Sequence, residues 1–225
     1  MLRIMLVFVM AIMCNDVFSQ DVDSLLVKAY ERDQGVRAKT LELTRKIGKY
    51  GYSGELVDSL VMLSDMTENI DRENMVLVDS LLNDGWPENL TKDSYNALWI
   101  IIDHADSAKQ EHYLPMIKKA AEKGDISYNS YAVLSDRIDM KRGQKQTYGT
   151  QSCIVTSDDG NEVIYIWPVR DALKLDSLRK KINECPIKKY VRILEKESGI
   201  KTIYDPFMTV EELKRLSKNT KLIYE

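Results

Sequence analysis

The sequence predicts a mainly α chain, a single helical domain of about seven to nine helices with one β-hairpin near residues 150–168. Three observations carry this. Apolar residues recur at helical spacing from residue 24 to residue 138. The period then changes to two over Ser152–Thr156 and Val163–Trp167, with Asp159-Gly160 between the runs. No repeat, low-complexity run or linker divides the chain.

The start of the chain predicts its compartment. Arg3 precedes an apolar run from Ile4 to Met13, and Val17-Phe18-Ser19 places small-enough residues at the −3 and −1 positions of a cleavage site after Ser19. A bilayer span needs about 20 apolar residues. Residues 1–19 are therefore expected to be a cleaved export signal, making the protein periplasmic or extracellular, with 20–225 as the domain. The rival reading makes Cys14 a lipid anchor, but Met13 stands where that processing wants a small residue. No later stretch is apolar enough to span a membrane. Net charge is −3, and Lys and Arg are scattered among Asp and Glu. A nucleic-acid binder would carry a basic stripe, so nucleic acid is not expected as a partner. Cys153 and Cys185 remain after cleavage. An oxidising compartment allows a disulfide between them, provided their Cα atoms lie within about 7 Å.

Asp23-Ser24 opens a helix carrying Leu25, Leu26, Ala29, Tyr30, Val36, Leu41, Leu43 and Ile47, which ends near Gly48–Gly51. Gly35 costs about 1 kcal/mol relative to Ala inside a helix, so a kink or break is expected there. Composition alone makes Arg32, Asp33 and Gln34 a solvated face. Glu55–Met66 reads as a second helix. Asp71 reads as the cap of a third, which stops at Asp84-Gly85 before Trp86-Pro87. Thr91 starts a helix that is apolar nearly all round, from Tyr95 to Ile102, and therefore buried. Its tip is Asp103-His104-Ala105-Asp106.

Glu111–Pro115 leads into a helix with Met116, Ile117, Ala120 and Ala121, stopped by Gly124. Ser127–Ile138 follows and delivers Asp136-Arg137 to its last turn. Gly143–Gly149 connects it to the hairpin, whose second strand ends at Pro168. Helices are expected over Leu173–Ile182, over Ile187–Lys196 with Gly199 as the stop, and from Thr209 to about Leu216. Lys218–Glu225 reads as a tail.

Three sets of residues could carry chemistry. His104 has the side chain suited to general acid–base work near neutral pH. A histidine at a helix end can equally serve the last carbonyls or a neighbouring carboxylate. No metal is expected, because His104 and His112 lack the H-x-x-x-H spacing and an ion would need ligands from elsewhere. No cofactor fingerprint occurs either. Asp136 and Arg137 point about 100° apart on a helix, so each reaches something different. Asp136 can turn towards Arg32 or the hairpin connection, and Arg137 can clamp a carboxylate or phosphate or form a structural ion pair. Gln146 with Tyr148-Gly149-Thr150-Gln151 suits a sugar or peptide ligand, and suits equally a connection that satisfies its own backbone.

Taken in order, Arg32-Asp33-Gln34, Asp71 with Asn74, Gly85-Trp86-Pro87, His104-Ala105-Asp106, and Asp136-Arg137 with Gly143, Gln146 and Tyr148-Gly149-Thr150-Gln151 resemble a bacterial domain-of-unknown-function family. Its members carry R-D-Q, D-x-x-N, G-W-P, Q-H-A-D and D-R…G-x-x-Q-x-Y-G-T-Q. The resemblance spans about Tyr30 to Pro186, with Asp103 standing where the family has Gln. It implies no activity, but it implies that the polar motifs belong together in one pocket.

Three functional readings follow. The first is an exported binding or interaction module taking a small molecule, peptide or glycan. The second is a hydrolase of cell-envelope or extracellular substrates, with His104, Asp136 or Asp71 as base and Arg32 or Arg137 holding an anion. The third is a structural polar network with no ligand.

Overall fold

A computed structural model describes the backbone of residues 2–51, 53–156 and 160–216, and the side chains from residue 21 onward within those limits, Lys49 excepted. The expected export signal therefore falls on residues whose side chains lie outside the description. So do the hairpin turn at 157–159 and the tail from residue 217. Among the described residues, eight helices and a small three-stranded sheet make the chain mainly α, as expected. It forms two compact units, Met1–Lys109 and Gln110–Glu225.

The first unit is built on α1 (Leu2–Tyr50) and α2 (Gly54–Leu82). They pair as an antiparallel hairpin. Leu43 and Ile47 meet Leu63 near the connection, while Asn74 reaches back to the carbonyl of Ala29. Both helices are longer than the sequence suggested. Gly35 sits inside a continuous α1 with nothing near its Cα hydrogen face, so the expected break is absent. Nor does Asp71 cap a third helix: it lies in the middle of α2. From Glu55 to Leu82 there is neither Gly nor Pro to stop a helix, and the one N-cap bond goes from Leu56 N–H to Ser53.

The third helix of this unit, α3 (Lys92–Asp103), starts where expected, with Thr91 accepting from Ser94 N–H. Leu98, Ala97 and Ile102 are fully buried. Trp86 stacks on Tyr95 at 5.7 Å, and the Tyr95 hydroxyl donates to the Pro87 carbonyl at 3.0 Å. This pins the loop after α2 and fixes where α3 begins. His104 is the C-cap residue of α3 and donates its backbone N–H to Ile100.

The second unit begins within the first turns of α4 (Ser107–Lys123). That helix starts earlier than predicted and takes Pro115 into its interior, forgoing one backbone bond there. α5 (Tyr128–Lys141) is capped by Ser127, and no residue from Ser130 to Met140 is exposed. The hairpin forms as expected. β1 (Ser152–Thr156) runs antiparallel to β2 (Glu162–Ile166), with Cys153 opposite Tyr165. After α6 (Leu175–Lys181) and α7 (Ile187–Ser198), an unpredicted strand, β3 (Lys201–Ile203), adds parallel to β2. α8 (Val210–Leu216) closes against the sheet, burying Val210 and Leu213 with Met140, Cys153, Val155 and Trp167. Cys153 and Cys185 are both free thiols. Among the described residues, no helix is long and apolar enough to cross a membrane.

Candidate functional site

The polar motifs fall into two clusters, one in each unit. In the first unit, α1 supplies Asp33, Gln34 and Arg37, α2 supplies Asp71, and the end of α3 supplies His104. Asp33 is only 1 % exposed, so the solvated face expected from composition holds for Arg32 but not for its neighbour. Its Oδ1 lies 3.0 Å from His104 Nδ1 and accepts from Arg37 Nε at 3.0 Å. Its Oδ2 accepts from Gln34 Nε2 at 2.7 Å. Arg37 Nη2 donates to both oxygens of Asp71, at 2.7 and 2.9 Å. The side chains of Arg37, Asp71 and His104 are 33 %, 24 % and 22 % exposed. The cluster thus has a sealed floor and an open edge.

Its electrostatics follow from that layering. Burial works against ionised Asp33, but His104, Arg37 and Gln34 outweigh it and bring its carboxyl down to about 2. Asp71 shifts the other way. Burial, with the charge of Asp33 adding to it, raises its carboxyl above the usual range despite Arg37. Two carboxylates, Asp33 and Asp71, thus share one guanidinium, that of Arg37.

One donor atom from each of Asp33, Asp71 and His104 lies within 4.8 Å of the other two. The sequence argued against a metal because its two His are badly spaced. The structure supplies carboxylates from two other helices instead, which no local spacing could reveal. Two predicted residues stand beside this cluster rather than in it. Arg32 pairs with Glu73 at the surface, and Asn74 is buried, donating to the Ala29 carbonyl at 3.3 Å. Arg32 and Lys39 also rim a groove of about 530 Å³ floored by Val36, Met66 and Ile70.

The second cluster is of another kind. Asp136 is 0 % exposed, turned towards the hairpin connection. Its oxygens accept from the backbone N–H groups of Thr147, Tyr148 and Thr150 at 2.8 to 3.1 Å, and from the Thr150 hydroxyl at 3.0 Å. Burial still raises its carboxyl above the usual range. Gln146, also 0 % exposed, donates to the carbonyls of Gln151 and Trp167 and accepts from Gln151 N–H. Gln151 Nε2 donates to the Val133 carbonyl at 3.4 Å.

Arg179 completes this cage from α6. It donates to the carbonyls of Tyr148, Gly149 and Cys185, pairs with Glu184 and lies over the Tyr190 ring at 4.6 Å. Gly149 has φ +67° and sits so close to Leu175 that a Cβ would come within 3.3 Å, hence glycine. The Tyr148 hydroxyl is half-buried and pushed up to about 12 by burial and by Tyr128 and Tyr131. Arg137, next along α5, is itself engaged. Asp136, Gln146 and Gln151 spend their polar atoms on holding the connection, and an enclosed carboxylate has no open face for a substrate.

Two residues central to these clusters escaped the sequence reading. Arg37 was findable, since it stands four residues after Asp33 on one helix face. Arg179 was not: it lies in Arg-Lys-Lys, which reads as a solvated run.

A family model described as a family of unknown function (DUF6624) matches residues 20–203, most of the chain. No curated protein matches the chain, and no solved structure does.

Proposed function

The chain belongs to that family of unknown function, and from there we propose that it is an exported binding protein whose ligand site is the Asp33–Asp71–His104 cluster. The observation that carries this is the layering of the cluster, a 1 % exposed carboxylate beneath three ionisable side chains that keep an edge in solvent. Those three side chains can meet a ligand from solvent while the carboxylate beneath them stays fixed. Two carboxylates around one guanidinium select the ligand class, a small molecule, peptide or glycan presenting a cationic or hydrogen-bond-donating group. Export is supported by Arg3, the Ile4–Met13 run and Val17-Phe18-Ser19.

One observation favours a second reading, hydrolysis with His104 as general base. A buried carboxylate on Nδ1 fixes the ring and leaves Nε2 for a substrate, the orienting role an Asp plays in catalytic triads. Asp136 is not part of that reading, being enclosed.

The test is a titration of the labelled chain, read at the His104 imidazole by NMR, with spermidine, lysyl dipeptides and chitobiose. Cationic probes should shift His104 and lose that effect in Asp71→Asn. If none of the probes shifts it, the binding reading fails. Turnover of a chromogenic ester, phosphate or amide that disappears in His104→Ala with an unchanged melting temperature would favour hydrolysis.

A further inference from the structure

We propose that Asp33, Asp71 and His104 form a site for one divalent first-row metal ion, with Arg37 as the resident cation that the ion replaces. The proposal rests on the binding reading above and places a metal cation where that reading places the cationic group of a ligand.

The three donors come from three separate helices and already converge, each within 4.8 Å of the others. Zinc holds oxygen and nitrogen donors at about 2.0–2.2 Å, which puts neighbouring donors roughly 3 to 3.5 Å apart. Asp33 Oδ1 and His104 Nδ1 stand 3.0 Å apart now. Closing the third side asks for a movement of roughly an ångström by Asp71, which is at the open edge.

That the place suits a cation is visible in what fills it. The Arg37 guanidinium donates to Asp33 through Nε and to Asp71 through Nη2. A divalent ion carries twice the charge of the guanidinium and would meet an oxygen of each carboxylate directly. Arg37 is one-third exposed and follows Asp33 by one helical turn, so it can leave towards solvent. The supporting shell is in place as well: Gln34 Nε2 donates to the other oxygen of Asp33 at 2.7 Å and orients it. Burial of Asp33 at the floor makes it the fixed ligand and Asp71 the adjustable one.

The donor set narrows the metal. One imidazole and two carboxylates suit zinc or manganese, with water completing the coordination. Calcium takes six to eight oxygens, more than this cluster offers. For His104 to bind through Nδ1, its proton must sit on Nε2.

The experiment uses the full chain, stripped with a chelator and titrated calorimetrically with ZnCl2, MnCl2 and, as control, CaCl2. The expected result is one equivalent of zinc or manganese bound, weakened about tenfold or more in Asp71→Asn and in His104→Gln. Arg37→Met should bind more tightly, and the metal should raise its melting temperature more than that of the wild type. Should a variant fail to fold, the wild type alone decides: Co2+ must give the visible spectrum of a nitrogen–oxygen site, and Mn2+ must broaden His104 before His112. Absence of binding at about 1 mM overturns the proposal, as does binding that survives Asp71→Asn and His104→Gln unchanged. If spermidine shifts His104 while zinc and manganese do not, the metal is wrong and the binding reading stands. If none of them does, both fall.

Discussion

Asp33 and His104, 71 residues apart in the sequence, meet with 3.0 Å between Asp33 Oδ1 and His104 Nδ1. The contact joins the first helix of the unit to the end of its third. Asp33 is held from three directions, by His104, Arg37 and Gln34, so its geometry is fixed before any ligand arrives. Pre-organisation of this kind lowers the ordering cost of binding.

Removing Asp33 should be costly. Asp33→Ala leaves Arg37 and His104 without their buried acceptor, and both keep some access to water. The expected loss is about 2 kcal/mol, read as a urea midpoint shift at unchanged slope. A loss under about 0.5 kcal/mol would mean the cluster contributes nothing to folding.

Acid should find the same residue. The carboxyl of Asp33 lies at about 2 when folded, below its ordinary 3.8. The folded state therefore binds its proton less readily, and the stability Asp33 contributes is complete above about pH 4. It drains away as pH falls through 2. Asp71 and Asp136 have the opposite sign: their raised carboxyls cost stability once ionised, so acid relieves them. Melting temperature against pH should thus be flatter between pH 4 and pH 2 for Asp33→Asn than for the wild type. Parallel curves would refute the assignment.

Asp136→Asn tests the second cluster. The amide nitrogen brings two donors into a place where the N–H groups of Thr147, Tyr148 and Thr150 already point inward. At least one buried donor is left unmet, for a loss of about 3 kcal/mol. Hydrogen exchange at those three amides should rise with it. Protected amides in the variant would show that another acceptor holds the loop.

Much of this architecture is legible in the residues. The β-branched runs around Asp159-Gly160, the nearly all-apolar Tyr95–Ile102 and the helical spacing of Ser127–Ile138 are strong local signals, and all three elements formed. Asp71 misled because an acidic residue after a polar stretch resembles a cap. In the fold its carboxylate serves Arg37 on another helix, and α2 runs straight through. β3 was missed because Lys201-Thr202-Ile203 is too short to show a period, and it exists only by pairing with β2. For the site, His104 could be singled out as an ionisable residue at the tip of a buried helix, whereas Asp33, between Arg32 and Gln34, reads by composition as solvated. Their meeting depends on how α1 and α3 pack, which no local pattern encodes.

Arg179→Lys should not be conservative. One planar guanidinium reaches three carbonyls and Glu184 while stacking on Tyr190. A lysine ammonium is a point charge with no plane to stack or fork to share. The expected loss is about 3 kcal/mol, since buried carbonyls at Tyr148 and Gly149 lose their donor. An unfolding midpoint within about 0.5 kcal/mol of the wild type would show that water or a neighbour replaces it.

The thiols should separate by reactivity. Cys153 is buried on β1 against Met140, Val155, Trp167 and Leu213, and burial pushes its thiol up to about 11. The attacking species in alkylation is the thiolate, so at pH 8 Cys153 is nearly inert on two counts, access and ionisation. Cys185 is only partly buried and also free. In the chain from Gln20 onward, iodoacetamide at pH 8 should label Cys185 while Cys153 is labelled only after denaturation, as peptide mass mapping would show. Export would expose both thiols to oxidants. Even so, Cys153 stays within the core, so peptide mapping without reductant should find no Cys153–Cys185 bridge. A Cys153–Cys185 cross-link in the native protein would require β1 and the segment after α6 to pack differently, since both thiols are free in this fold.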